Sequence, residues 1–301
     1  MSTPASLIGA PPSDSATVTA SGQVSAARRR RRRFGFSLGL AFTWLGLITV
    51  LALAADLLPL HDYVTKAGDP NLGPNWSAEF LGTDSVGRSM LSRVIFGARI
   101  SFLIGFGATA LSLLIGGTLG LLSAYFGGAV SSVIDVLANT VLAVPSLLFL
   151  LAISIALKPT LVLLIVLLSV ITVPAFMRLT YANALAEMNK DYVVASQLMG
   201  ASSVRIMFKE VLPNAAMPVL SYAVLVVPAM ITVEGSLSFL GFGVQAPRPS
   251  WGVMIASGRS RLQDNAWEAM TPGIVLFATV FALNRIGDFV RERYGSREGR
   301  S

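Results

Sequence analysis

From Ile100 to Ala124 the chain carries no charged residue. That run is longer than the roughly 20 apolar residues needed to cross a bilayer core of about 30 Å as a helix. In hydrocarbon, backbone N–H and C=O groups must bond within their own segment, so such a run can only be helical. Further apolar segments fall at about Phe36–Leu58, Val133–Leu157, Leu161–Leu179, Ala215–Leu240 and Ala269–Ile286. Hydrophobic residues make up 53% of the 301 positions and charged residues 13%, against roughly 25% charged in a soluble domain. The expected fold class is therefore an all-α membrane protein with about six transmembrane helices. Gly116 and Gly120 in the second span form a small-xxx-small pair that lets a neighbouring helix approach closely.

The charges sort the segments by side. With the N-terminus inside, the inner segments hold Arg28 to Arg33, Arg178, Lys190, Arg205, Lys209, Arg285, Arg291, Arg293, Arg297 and Arg300, fifteen in all. The outer segments hold eight: Lys66, Arg88, Arg93, Arg99, Lys158, Arg248, Arg259 and Arg261. This bias places both termini in the cytoplasm. Read alone, the six consecutive arginines suit nucleic acid or acidic lipid. Their place just ahead of an apolar span favours anionic headgroups and no nucleic-acid partner. Residues 1–34 read as a disordered basic arm, rich in Ser, Ala, Thr and Pro up to residue 27. The first span resembles a secretory signal in its flanks, but its apolar part exceeds the usual signal core, so an uncleaved anchor is expected. A membrane-spanning body then covers 35–290, and 291–301 form a basic cytoplasmic tail.

The segment from Tyr181 to Pro213 is mixed and charged, long enough for two short helices. Asn189 or Asp191 can cap the first and Gly200 end it; Ser202 or Ser203 can cap the second, and Pro213 follows it. By spacing alone this loop is either a docking element for a cytosolic partner or an amphipathic loop lying on the membrane surface. No phosphate-binding loop of the Gly-x-x-x-x-Gly-Lys-Ser/Thr type occurs. The chain has no cysteine and a single histidine, His61, so neither a thiolate nor a histidine metal site is expected. The spans hold no Ser/His/Asp set. The expectation is a non-catalytic chain with no cofactor or metal of its own. Glu234 is the one carboxylate placed inside a span away from its inner end, as a gate or as a hydrogen-bonded structural group.

Within the loop, Asp191-Tyr192-Val193-Val194-Ala195-Ser196-Gln197-Leu198-Met199-Gly200, then Leu212-Pro213-Asn214, resembles the EAA loop of ATP-binding-cassette (ABC) importer permeases. Ala195, Gly200, Leu212 and Pro213 match; Val194 replaces the Glu and Ser196 the second Ala. Phe80-Leu81-Gly82-Thr83-Asp84-Ser85-Val86-Gly87-Arg88, with Ser92-Arg93 and Gly97-Ala98-Arg99-Ile100-Ser101, is similar to the element ahead of the second span in the C-type permease of dipeptide, oligopeptide and nickel importers. Leu237-Ser238-Phe239-Leu240-Gly241-Phe242-Gly243-Val244-Gln245, then Pro247 and Pro249-Ser250-Trp251-Gly252, resembles that family's segment after span five.

The resemblance covers about residues 35–290 and implies the type I ABC importer permease fold. It implies a coupling loop over 181–213, with Asp191, Tyr192, Ala195, Ser196, Leu198, Met199, Gly200, Leu212 and Pro213 as its residues and Leu198, Met199, Ile206 and Phe208 as apolar anchors. The implied partners are a second homologous permease in a heterodimer, two ABC ATPase subunits or a fused ATPase that bind ATP and Mg, an extracytoplasmic solute-binding protein, and the lipid membrane of a bacterial cell. The outer segments Pro59–Arg99 and Gly241–Glu268 would receive the binding protein. Asn139 and Val136 stand where the family commonly has Asp and Arg, so no intramembrane ion pair is expected there, and Asn139 remains a candidate pathway residue. Peptides are the expected cargo, with a nickel chelate or another small solute as the alternative. An ATP-independent channel or secondary transporter is the reading from another class; it would need ionisable groups along the pathway, and Glu234 and Asp135 are almost alone. A structural membrane scaffold is a third.

Overall fold

A computed structural model of the protein describes residues 16–75, 79–263 and 265–295. Residues 1–15 of the expected arm and 296–301 of the expected tail lie outside the described residues, as do the side chains of Arg28 to Arg33. The described chain is helical: α1 (Ala16–Leu53), α2 (Met90–Phe126), α3 (Gly128–Ala143), α4 (Ser146–Ala156), α5 (Leu161–Met188), α6 (Asp191–Leu198), α7 (Ser203–Arg205), α8 (Leu212–Phe239), α9 (Trp251–Gly258) and α10 (Trp267–Gly295). Helix α1 begins well before the expected span at Phe36 and carries its backbone through the arginine run. Ala and Arg are among the strongest helix formers, so nothing local stops the helix there.

Close approach at glycine sets the central packing. Ser112 Oγ donates to the Ser169 carbonyl at 3.1 Å, and Gly116 and Gly120 face Val173, Phe176 and Met177 of α5. Positions rise together on both helices, so α2 and α5 run parallel. The chain must therefore return across the bundle between them, and α3 with α4 makes that return. The two are bent by 80° at Val144-Pro145. The third span, expected as one helix over Val133–Leu157, is thus a broken crossing. Val144 is extended (φ −96°, ψ 127°), as the residue before proline prefers. With this pair counted as one crossing, the described residues supply six.

Helix α8 is antiparallel to α5, with Phe176 against Tyr222 and Thr172 against Met230. Helix α10 is antiparallel to α8, and α1 to α10, where Trp44 Nε1 donates to Thr279 Oγ1 at 3.1 Å. The core joins Ile104 and Ala108 of α2, Leu150 of α4, Leu164, Leu168 and Phe176 of α5, and Val226 and Met230 of α8. One end of the bundle holds 59–89 and 241–268; the other holds the 181–213 segment and the α2–α3 turn. Arg99 at the first end closes α1: its guanidinium donates to the carbonyls of Ala52 (3.0 Å) and Leu53 (3.2 Å) and to Asp56 (2.8 Å). A cation is favourable at the C-terminal carbonyls of a helix.

Candidate functional site

The 181–213 segment is built as a short helix carried by two spans. Asn189 closes α5 rather than capping α6, its Nδ2 donating back to the Leu185 carbonyl at 3.1 Å. Asp191 instead sits in the first turn of α6, where a carboxylate suits the helix dipole. Gly200 has φ +80°. The Ala201 N–H reaches the Ser196 carbonyl (3.1 Å) and the Gly200 N–H the Gln197 carbonyl (3.0 Å), the paired bonds of a Schellman stop, which glycine makes without strain. A second separate helix does not form. Helix α7 passes through a π-helical turn, Ile206–Val211, directly into α8, and Pro213, which has no N–H to donate back into that turn, sits where the ladder changes from π to α.

Burial divides the loop residues by role. Val193 is completely buried against Ala184 of α5 and Ile206, Met207, Val211 and Ala215, with Leu212 packed on the rim. Ile206, expected as an exposed anchor, is therefore part of this core: its place on the inner side of the turn fixes α6 to the spans. Leu198 and Met199 project from the end of α6 at 85% and 80% exposure. Phe208 and Val204 are exposed beside them, and Ala195 and Ser196 leave the outer surface of α6 low. Tyr192 Oη donates to Glu187 Oε2 at 2.7 Å and accepts from Asn214 Nδ2 at 3.0 Å. Neither Glu187 nor the role of Asn214 was evident from spacing, because the two meet only when α5 and α8 lie side by side.

Glu234 is 1% exposed. Its Oε1 accepts from Ser238 Oγ at 2.7 Å and Ser250 Oγ at 2.8 Å. Ser250 also caps α9 through the Val253 N–H, and the next residue, Trp251, is fully buried with its indole N–H on the Val94 carbonyl at 3.0 Å. The carboxyl thus ties α8 to the start of α9 inside the protein. Asn139 is brought to α5: Arg178 Nη2 donates to Asn139 Oδ1 at 2.7 Å. Arg178 is the partner that the sequence did not reveal.

At the opposite end, the Phe80–Arg88 element folds on itself. Asp84 Oδ1 accepts from the N–H groups of Val86 and Arg88, both at 2.9 Å, and Oδ2 pairs with Arg88 Nε at 2.7 Å and Arg93 Nε at 3.5 Å. Glu268 Oε1 reaches across from α10 to the N–H and hydroxyl of Ser85. Gly82 and Gly87 adopt φ +74° and +91° against neighbouring backbone, which a Cβ would obstruct.

Sequence comparison gives this arrangement its context. Residues 116–298 match the family model of the binding-protein-dependent transport system inner membrane component. The chain is 40% identical to the di/tripeptide transport system permease protein DppC of Pseudomonas aeruginosa, over 82% of this chain and 83% of the relative. It is 35% identical to the oligopeptide transport system permease protein OppC of Bacillus subtilis, over 82% and 81%. Among solved structures, the MetNI methionine ABC transporter in inward-facing conformations aligns with 67% of this chain and 97% of its own, at a TM-score of 0.53 and 21% identity, which supports the fold. The protein belongs to the family of binding-protein-dependent transport inner membrane components, the multi-pass permeases of ABC importers.

Proposed function

We propose that this chain is one of two permease subunits forming the translocation pathway of a peptide importer, and that α6 is its docking helix for a cytosolic ATPase. The observation that carries the reading is the pair Leu198 and Met199, 85% and 80% exposed at the tip of a helix whose other side is packed into α5 and α8. Burying each such side chain on a partner is worth roughly 1.5–3 kcal/mol, so leaving both exposed has a purpose only where a partner covers them. The ATPase would bind the ATP and Mg; this chain would hold neither and do no chemistry itself. Peptide as the cargo is supported by the relatives that transport di-, tri- and oligopeptides.

The bent α3–α4 pair supports a second, homologous permease as neighbour. Its residues Val133, Val136, Leu137, Leu148 and Ile155 stay exposed, and Asn139 with Arg178 lies on that side. The binding protein would dock on the knotted outer loops, and both termini would be cytoplasmic in a bacterial membrane. The test is purification of the tagged chain with its neighbours from membranes. Wild type should bring down an ATPase and restore peptide uptake to cells lacking it. Leu198→Asp with Met199→Asp should lose both while the chain remains in the membrane. Normal ATPase recovery and uptake in that variant would reject the docking role, and uptake of a nickel chelate in place of peptide would reject the cargo.

A further inference from the structure

Resting on the docking role of α6, we infer that Tyr192 is a positioning residue whose phenol pins the docking helix to both spans at once, so that a displacement of α6 moves α5 and α8 together. The peptide links leave α6 free to tilt: Asn189 and Lys190 join it to α5, and the Gly200 turn joins it to α7. A helix hinged at both ends absorbs a push by rotating. Tyr192 removes that freedom. Its hydroxyl donates to Glu187 of α5 at 2.7 Å and accepts from Asn214 of α8 at 3.0 Å. Glu187 is steadied by Lys190 Nζ at 2.7 Å, and Asn214 by the Glu210 carbonyl at 2.9 Å.

The chemistry suits a permanent link. The bond to Glu187 has a carboxyl oxygen as acceptor and is short, at 2.7 Å. Burial first, then the bond to and charge of Glu187, push the phenol above its ordinary range, so it remains a donor at any physiological pH. Val193 next to it fills the apolar core and resists separation of the helices. A greasy contact of this kind permits sliding and rotation, whereas two directional bonds to one oxygen fix the angle as well.

The experiment uses the assembled complex, both permeases with the ATPase, reconstituted in proteoliposomes with its binding protein. The readout is peptide moved per ATP hydrolysed. Tyr192→Phe keeps the ring and loses the hydroxyl; a several-fold fall in the ratio is expected. Glu187→Ala should fall similarly, whereas Glu187→Gln, whose amide oxygen still accepts the phenol, should stay near wild type. Tyr192→Phe combined with Glu187→Ala should be no worse than either alone, because both cut the same link. A wild-type ratio in Tyr192→Phe, a fall in Glu187→Gln as deep as in Glu187→Ala, or additive losses would overturn the inference. So would equal loss of transport and hydrolysis, which is how a purely structural residue behaves. The Leu198 and Met199 double variant separates the two ideas. If it keeps the ATPase and transports normally, the docking role fails. If it loses the ATPase while Tyr192→Phe keeps its ratio, only the link fails.

Discussion

A single methyl group at position 120 should separate the two central helices. A Cβ built on Gly120 lands on the Met177 carbonyl oxygen and lies 2.8 Å from Thr180 Cβ and 2.9 Å from the Tyr181 nitrogen. Carbon atoms pack best at about 3.5–4.0 Å, so α5 must retreat by most of an ångström, and its backbone rather than a flexible side chain has to give way. Overpacking of this sort costs about 1–3 kcal/mol. Replacing Gly by Ala in a helix returns roughly 0.5–1 kcal/mol. Gly120→Ala should therefore destabilise by up to about 2.5 kcal/mol, and by about 1.3 kcal/mol at the middle of the two ranges, a several-fold change in the unfolding constant. Gly117 is the control on the same helix: its Cβ would meet only Thr180 Oγ1 at 3.9 Å, so Gly117→Ala should be neutral or stabilising. Gly116 faces Val173 O at 2.6 Å and Phe176 Cβ at 2.7 Å, and one retreat of α5 relieves both sites, so the 116/120 double variant should lose less than the sum. The assay is equilibrium unfolding of the purified chain in mixed micelles titrated with SDS. Equal stability of the Gly120→Ala and Gly117→Ala proteins would refute the parallel, close-packed α2–α5 contact.

Glu234→Gln keeps the oxygen that accepts from Ser238 and Ser250, and should assemble and transport at near-normal affinity; Glu234→Leu leaves those buried hydroxyls without their acceptor, at about 1–3 kcal/mol for each unsatisfied group, and should assemble poorly. Yield of assembled complex and peptide affinity decide this, and an intact Leu variant beside an inactive Gln variant would instead make the charge functional. Reporter fusions at Gly73 and Ser301 should report opposite sides of the membrane, because six crossings put 59–89 and the end of α10 at opposite ends of the bundle; same-side signals would overturn the broken-crossing count.

The crossings were legible because the bilayer leaves a charge-free run of this length no alternative to a helix. Single breaks within them were not. Pro174, Pro218, Pro228 and Pro272 all sit inside continuous helices, while Pro145 marks an 80° bend. Proline removes the same backbone donor in each case. What differs is whether neighbouring helices hold the segment straight, and α3 and α4 are mostly exposed, with little packed against them to do so. The 181–213 segment divides the same way. Gly200 announced its turn locally, since few residues other than glycine tolerate that φ. The links made by Tyr192 to Glu187 and Asn214, and by Arg178 to Asn139, depend on how spans separated in sequence come together. Ile206 was misplaced for a related reason: the buried cluster it joins, with Ala184, Val193 and Ala215, forms only when α5, α6 and α8 pack together.

Helix α7, the π-helical turn and α8 form one continuous rod beside α6. Ser203 to Phe239 is 37 residues, about 55 Å of helix at 1.5 Å per residue, against a hydrocarbon core of roughly 30 Å. Much of its excess length lies at the end that carries α6, so α8 acts as a rod projecting beyond the membrane. At its far end Glu234 and Ser238 tie the rod to Ser250, and through it to α9 and the buried Trp251. Helix α5 is held at that end by packing, with Leu164 and Leu168 buried in the core and Ile165 against Gly107 of α2. It meets Thr160 and the α4–α5 turn, next to the bent and exposed pair. On the proposed docking role of α6, a push there would therefore reach one span tied by a buried carboxyl and one packed along α2. Because Gly116, Gly120 and the Ser112–Ser169 bond pack α5 along α2, any displacement of α5 carries α2 with it.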